Sequence, residues 1–124
     1  LGVPPDYMIE AGKERGIPVA ALVGAKEHAV KQVAAGVDLI VAQGTEAGGH
    51  GVSRGLVSLV PEIVDAVEGA MPVVAAGGIA DGRGLAAALM LGASGVLLGT
   101  RFYATEEAAG PDGATRRGGA SCAT

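Results

Sequence analysis

Four short, continuous apolar runs, each closing near a glycine, set the strongest limit on how this chain folds. They read PVAALVG at residues 18–24, DLIVAQG at 38–44, PVVAAGG at 72–78 and GVLLGTRF at 95–102. None alternates apolar with polar residues, a pattern that suits parallel strands buried on both faces. Helical patterns separate the runs. Pro4 and Pro5 open a first helix, with Met8, Ile9 and Ala11 on its apolar side and Gly16 closing it. A second, over about 26–35, places Ala29, Val30, Val33 and Ala34 on one face, and Gly36 stops it. Ser58 caps a third, which carries Leu59, Ile63 and Val67 on one stripe with Pro61 in its first turn. A fourth, over about 82–91, follows Asp81 as N-cap and ends at Gly92; a further helix can start at Thr105.

Strand, helix, strand in this order means an α/β fold with parallel pairing through right-handed crossovers. The runs start at residues 18, 38, 72 and 95, so the successive spacings are 20, 34 and 23. The long spacing comes from the connection between Thr45 and Val57. Most such connections take about 2–6 residues, and longer ones usually carry function.

Composition narrows the setting. The chain has 124 residues, about half of a (β/α)8 barrel of roughly 250. An apolar fraction of 49% excludes a disordered chain up to about residue 108. The tail, 109–124, has almost nothing to bury and reads as disordered. Nine Lys and Arg against thirteen Asp and Glu, with no basic run and three aromatics, argue against nucleic-acid binding. Cys122 stands alone, so neither an intrachain disulfide nor a cysteine zinc site is open to the chain. No apolar stretch is long enough to span a bilayer and no signal-peptide layout appears, so the expectation is a soluble, cytoplasmic protein. The chain starts at Leu1 and not at Met, which suggests part of a longer gene product.

Three glycine-rich segments stand at strand ends. EAGGHG at 46–51 brings three glycines around His50, so the backbone can bend closely around a flat ligand and present an imidazole able to act as a base. The same residues equally describe a solvated loop histidine. AGGIADG at 76–82 joins a strand to a helix start, where backbone N–H groups favour a phosphate; a tight turn uses the same residues. GTRF at 99–102 offers a glycine, a hydroxyl and Arg101, or plain strand-end punctuation. The last two gain weight together, because the final strands of a barrel commonly share one phosphate site. Gln43 ends an otherwise apolar strand and can bond either a cofactor ring or the neighbouring loop. His28 reads as a helix-surface residue; Glu46 can orient something nearby but receives no chemical role, and Arg54 can face either substrate or solvent. No Ser–His–Asp order or metal-ligand cluster is visible.

VAQGTEAGGH at 41–50, PVVAAGGIADGRG at 72–84 and GVLLGTRFYATEE at 95–107 together strongly resemble the nitronate monooxygenases, long called 2-nitropropane dioxygenases. The resemblance covers about residues 1–108. The Glu-Ala-Gly-Gly-His stretch is its specific part; the two phosphate turns recur in many flavin barrels. It implies that residues 1–108 are the C-terminal half of an FMN-dependent (β/α)8 TIM barrel, its last four strands. Gln43 and Gly48 then match flavin-contacting positions. Gly77 and Gly78 match one phosphate turn, and Leu97, Leu98, Gly99 and Thr100 the next, where many relatives have Gln in place of Leu97. His50 matches the catalytic base. The implied reaction oxidises alkyl nitronates or nitroalkanes with O2 to carbonyl compounds and nitrite. The first four strands are absent, which implies weak FMN binding by this chain alone and association through open barrel edges, as a homo-oligomer or with a missing half. The rival readings are an FMN-dependent enoyl-acyl-carrier-protein reductase, which shares the loop and uses NAD(P)H, and an inactive barrel fragment. An IMP-dehydrogenase-like enzyme fits less well, since it needs a loop cysteine.

Overall fold

A computed structural model of the chain describes residues 3–48 and 53–108. The elements alternate helix and strand: α1 (Asp6–Glu14), β1 (Ala20–Val23), α2 (Lys26–Ala35), β2 (Leu39–Gln43), α3 (Leu56–Val67), β3 (Val73–Ala76), α4 (Gly82–Met90), β4 (Gly95–Leu97) and a short α5 (Thr100–Tyr103). The four strands form one parallel sheet in the order β1-β2-β3-β4. The tail expected to be disordered lies outside the described residues, as does Cys122.

Alternate strand residues build the core. Ala21 and Val23, Ile40 and Ala42, and Val73 and Ala75 share a cluster with Ile9, Ala29, Ala88 and the α3 stripe. Leu59 and Ile63 are fully buried and Val67 nearly so, as the i, i+4, i+8 spacing requires. Burying a side chain of this size contributes about 1.5–3 kcal/mol, so α3 is the main anchor of the helical layer.

The other face of the sheet differs from expectation. Of its residues Val41 and Ala76 are buried, but Leu22, Leu39 and Val74 are half-buried, Ala20 is exposed and Leu97 is 49% exposed. Helices α1–α4 all contribute to the core cluster, so the apolar runs are covered more fully on that face. The edge strands β1 and β4 each leave one side unpaired within the described sheet.

Several helix details also shift. Gly36, at φ +85°, stops α2 as expected. The buried side of α2, however, carries Ala29 and Gln32, while Val30 and Ala34 face out. Each stands one residue, about 100°, round from the packed stripe. On α1, Ile9 is buried but Met8 is half exposed. Ser58 does not cap α3: the helix begins at Leu56, and the Ser58 hydroxyl donates back to the Gly55 carbonyl. Pro61 therefore sits inside the helix, where its ring removes a bond to the carbonyl of exposed Val57. The last apolar run stops at Leu97, and Thr100–Tyr103 coils into α5 where strand was expected and ahead of the expected start at Thr105. Beyond β4 no further described strand pairs with that segment, so no ladder holds it extended.

Candidate active site

The parallel register lines up the carboxyl ends of three strands. Gln43 pairs with Ala76, and Ala76 with Leu97. All three stand on the face away from the helices, because side chains alternate along a strand. Gln43 thus opens toward the same space as Leu97. Its Nε2 donates to the Gly48 carbonyl at 3.4 Å, which bears out the neighbouring-loop reading and joins two of the expected flavin positions to each other.

The loop after β2 is closed at its neck. The Thr45 N–H donates to the Arg54 carbonyl at 2.8 Å, and the Ala47 N–H to the Gly44 carbonyl at 3.1 Å. Arg54 also forms an ion pair with Glu62 on α3, which lies 3.6 Å from Lys26 on α2. The Thr45–Arg54 bond joins the two described ends of the loop. His50 belongs to this loop but lies outside the described residues.

Glu46 braces the neck. Both carboxylate oxygens accept from the Leu56 N–H, at 3.1 and 3.0 Å, so the first donor of α3 is satisfied from ten residues upstream. Gly55, the residue at the cap position, has no side chain to do this. No local spacing rule signals such a cap, because the capping box spans three residues. The pairing of Arg54 with Glu62 is not legible in the sequence for the same reason: it depends on the fold.

The turn after β3 is shaped by the same loop. Gly77 has φ +130° and Gly78 φ +64°. A Cβ on Gly77 would sit 2.9 Å from the Ala47 nitrogen, and one on Gly78 would sit 3.1 Å from the Glu46 Cβ. Both conformation and close approach therefore demand glycine. No backbone carbonyl among the described residues accepts from the N–H groups of Gly78 or Ile79. The helix start behind the turn is different. Asp81 caps α4, accepting from the N–H groups of Arg83 at 3.0 Å and Gly84 at 3.2 Å. Its carboxyl is held below the usual range, first by the Arg83 guanidinium and then by the Gly84 N–H. That carboxylate takes the place at the helix end that the sequence reading reserved for phosphate, and leaves the turn itself as the donor group.

Leu98 and Gly99 follow β4, and Thr100 opens α5. Gly99 and Thr100 are exposed, and nothing described lies within 4 Å of where a Gly99 Cβ would stand. Since β3 and β4 are neighbours, the two segments leave the sheet about 4.8 Å apart at their bases. Amide donors at adjacent strand ends, with glycines that let an oxyanion approach closely, suit an oxyanion such as a phosphate. Arg101 and His28 are exposed on α5 and α2. No group of three potential metal ligands occurs among the described residues, and no described helix is long and apolar enough to cross a membrane. A cavity of about 300 Å³ near Lys13 and Asp38 lies at the amino ends of the strands, away from this site. Its charged groups are engaged by Ala35 and Val19.

Residues 1–118 match the family model of nitronate monooxygenase. The chain belongs to the nitronate monooxygenase family. Mycobacterium tuberculosis Rv1533, which bears a monooxygenase name, is 56% identical over 90% of this chain and 29% of its own length. A second relative from the same organism, (3aS,4S,5R,7aS)-5-hydroxy-7a-methyl-1-oxo-octahydro-1H-indene-4-carboxyl-CoA dehydrogenase, is 47% identical over 92% of this chain and 32% of its own. Among solved structures, a FabK mutant from Thermotoga maritima superposes with a TM-score of 0.87 at 39% identity, over 94% of this chain and 38% of that one. A nitroalkane oxidase from Streptomyces ansochromogenes superposes at 0.83 and 38% identity, over 93% and 36%. The four parallel βα units are thus an arc of a (β/α)8 barrel, as expected. The chain spans about a third of the length of these proteins.

Proposed function

We propose that this chain supplies the phosphate-side wall of an FMN site in a nitronate monooxygenase-type enzyme, with an alkyl nitronate or nitroalkane and O2 as substrates. One observation carries this reading: two donor-bearing segments leave adjacent strands at the end of the sheet where Gln43 and the neck of the His50 loop meet. Gly77 and Gly78, with Leu98, Gly99 and Thr100, would hold the phosphate through backbone N–H groups and one hydroxyl. Leu97 would contribute its backbone, which is why Leu can stand where many family members have Gln. Gln43 and the Gly48 backbone would border the ring. When bound, FMN supplies the redox chemistry with O2 that converts the substrate to a carbonyl compound and nitrite. His50 would remove the α-proton of a neutral nitroalkane, a task suited to an imidazole that titrates near working pH. A nitronate arrives already deprotonated and needs no such base. A cytoplasmic setting belongs to the same proposal.

The likeness to FabK favours a second reading, reduction of a thioester-linked enoyl chain by NAD(P)H, and the CoA dehydrogenase among the relatives points toward thioesters as well. Oxygen uptake separates the two. The expected result is nitronate-dependent O2 consumption by the FMN-supplemented chain without NADH. His50→Asn should lose the nitroalkane reaction and retain most of the nitronate reaction. NADH oxidation that depends on an enoyl thioester, with no response to nitronate, would favour the reductase.

A further inference from the structure

We propose that Glu46 is a positioning residue that couples the Gly77–Gly78 turn to the neck of the loop carrying His50. Its consequence for ligand binding rests on reading that turn as a phosphate cradle; the coupling itself does not.

Three elements meet on this one residue. The carboxylate accepts from the first N–H of α3, a twelve-residue helix whose positive end favours an anion. The side-chain stem lies against Gly78, with Cβ 3.1 Å and Cγ 3.6 Å from where a Gly78 Cβ would stand. The backbone carbonyl carbon lies 3.4 Å from the corresponding point on Gly77. Glu46 Oε2 also fills the space that a Cβ on Gly44 would take. Its sequence neighbour Thr45 makes the backbone bond that shuts the neck on Arg54. A shift of the glycine turn, as when an anion draws in its amides, therefore presses on the stem of the group that ties the neck to α3. By linkage, ordering of the neck favours the anion-binding turn to the same degree.

The simpler role is a helix cap and nothing more. Gly55 makes the two separable. It occupies the N-cap position at φ −69° and ψ 147°, a conformation in which Ser caps well. Glu46→Ala removes the cap and with it the carboxylate's tie between the neck and α3, while keeping the Cβ beside Gly78; the Glu46→Ala/Gly55→Ser double variant restores the cap without the tie. Glu46→Gln keeps an acceptor of the same length, and Glu46→Asp replaces Ala should the latter fail to fold.

The full chain is followed by amide NMR with hydrogen exchange and by thermal unfolding, without ligand. The double variant is expected to regain the wild-type melting temperature and the protection of the Leu59 N–H. The Thr45 N–H is expected to stay unprotected, with the Gly77 and Gly78 resonances displaced. Glu46→Gln is expected to keep both near wild type. In a parallel FMN titration by flavin fluorescence, the double variant is expected to bind at least tenfold more weakly than wild type. Recovery of Thr45 protection and of the glycine resonances in the double variant would overturn the coupling. Failure of the wild-type chain to bind FMN would instead remove the cofactor reading, while the amide data still decide the coupling.

Discussion

The side-chain amide of Gln43 donates to the carbonyl of Gly48 across 3.4 Å. This long bond ties the last residue of β2 to the loop that rises from it, so the residue expected to border a flavin ring also fixes the backbone position expected beside it. Replacing Gln43 with Met keeps the volume and removes the donor. Because a neutral hydrogen bond contributes about 0.5–1.5 kcal/mol net, the expected loss of stability is of that order. FMN affinity should fall severalfold in a fluorescence titration. Unchanged affinity would place Gln43 in a structural role only.

Gly77 and Gly99 separate folding from binding. Gly77→Ala combines a φ of +130° with a Cβ 2.9 Å from the Ala47 nitrogen. Backbone strain of this kind costs about 1–3 kcal/mol, so chemical denaturation should show a clear loss of stability. Gly99→Ala meets open space at an ordinary φ of −108°. It should leave stability unchanged or slightly raised, yet weaken FMN binding where the phosphate must come close to the backbone. Equal effects of the two on stability would contradict this.

Asp81 gives the fold an acid-sensitive cap. Its carboxyl titrates below the usual range because the Arg83 guanidinium and the N–H groups of Gly84 and Arg83 favour the charged form. A depressed folded value means that the contribution is fully present above the usual carboxylate range. It is lost as pH falls through the lowered value. Arg83 is highly exposed, so the effect is small. Asp81→Asn keeps an acceptor and loses the charge. The gap in melting temperature between wild type and Asp81→Asn should narrow as the pH is lowered through that range. A gap independent of pH would show that the charge does not matter.

The uncovered sheet face and the two open edges predict self-association. Leu22, Leu39 and Val74 are half-buried and Leu97 is 49% exposed on a face that barrel closure would enclose. Sedimentation velocity should show concentration-dependent dimers, and Leu22→Lys should shift them to monomer while circular dichroism stays native. A wild-type chain that is monomeric at every concentration would contradict this.

Much of the architecture was legible because it rests on local rules. Continuous apolar runs marked all four strands, Gly36 and Asp81 marked helix ends, and the Leu59, Ile63 and Val67 stripe marked the core. What escaped depends on contacts between distant residues. The start of α3 is set by Glu46, which no neighbouring residue announces. Gln32 is buried where Val30 was expected, because the packing of α2, and not its hydropathy, sets its rotation. The glycine turn carries a phosphate-like signature, but the space above Gly77 is also needed for Ala47, so one pattern serves two constraints. Of the motif that most clearly suggests chemistry, Glu46, Ala47 and Gly48 are described, while His50 lies outside the described residues.

The central claim is that the carboxyl ends of β2, β3 and β4 form a working part of a flavin site. Titration of the full 124-residue chain with FMN, followed by flavin fluorescence, tests it most directly. The account predicts saturable binding, weaker than about micromolar because the chain spans only about a third of its relatives' length, and weakened further by Gly99→Ala. Absence of saturable binding, or binding indifferent to Gly99→Ala, would contradict it.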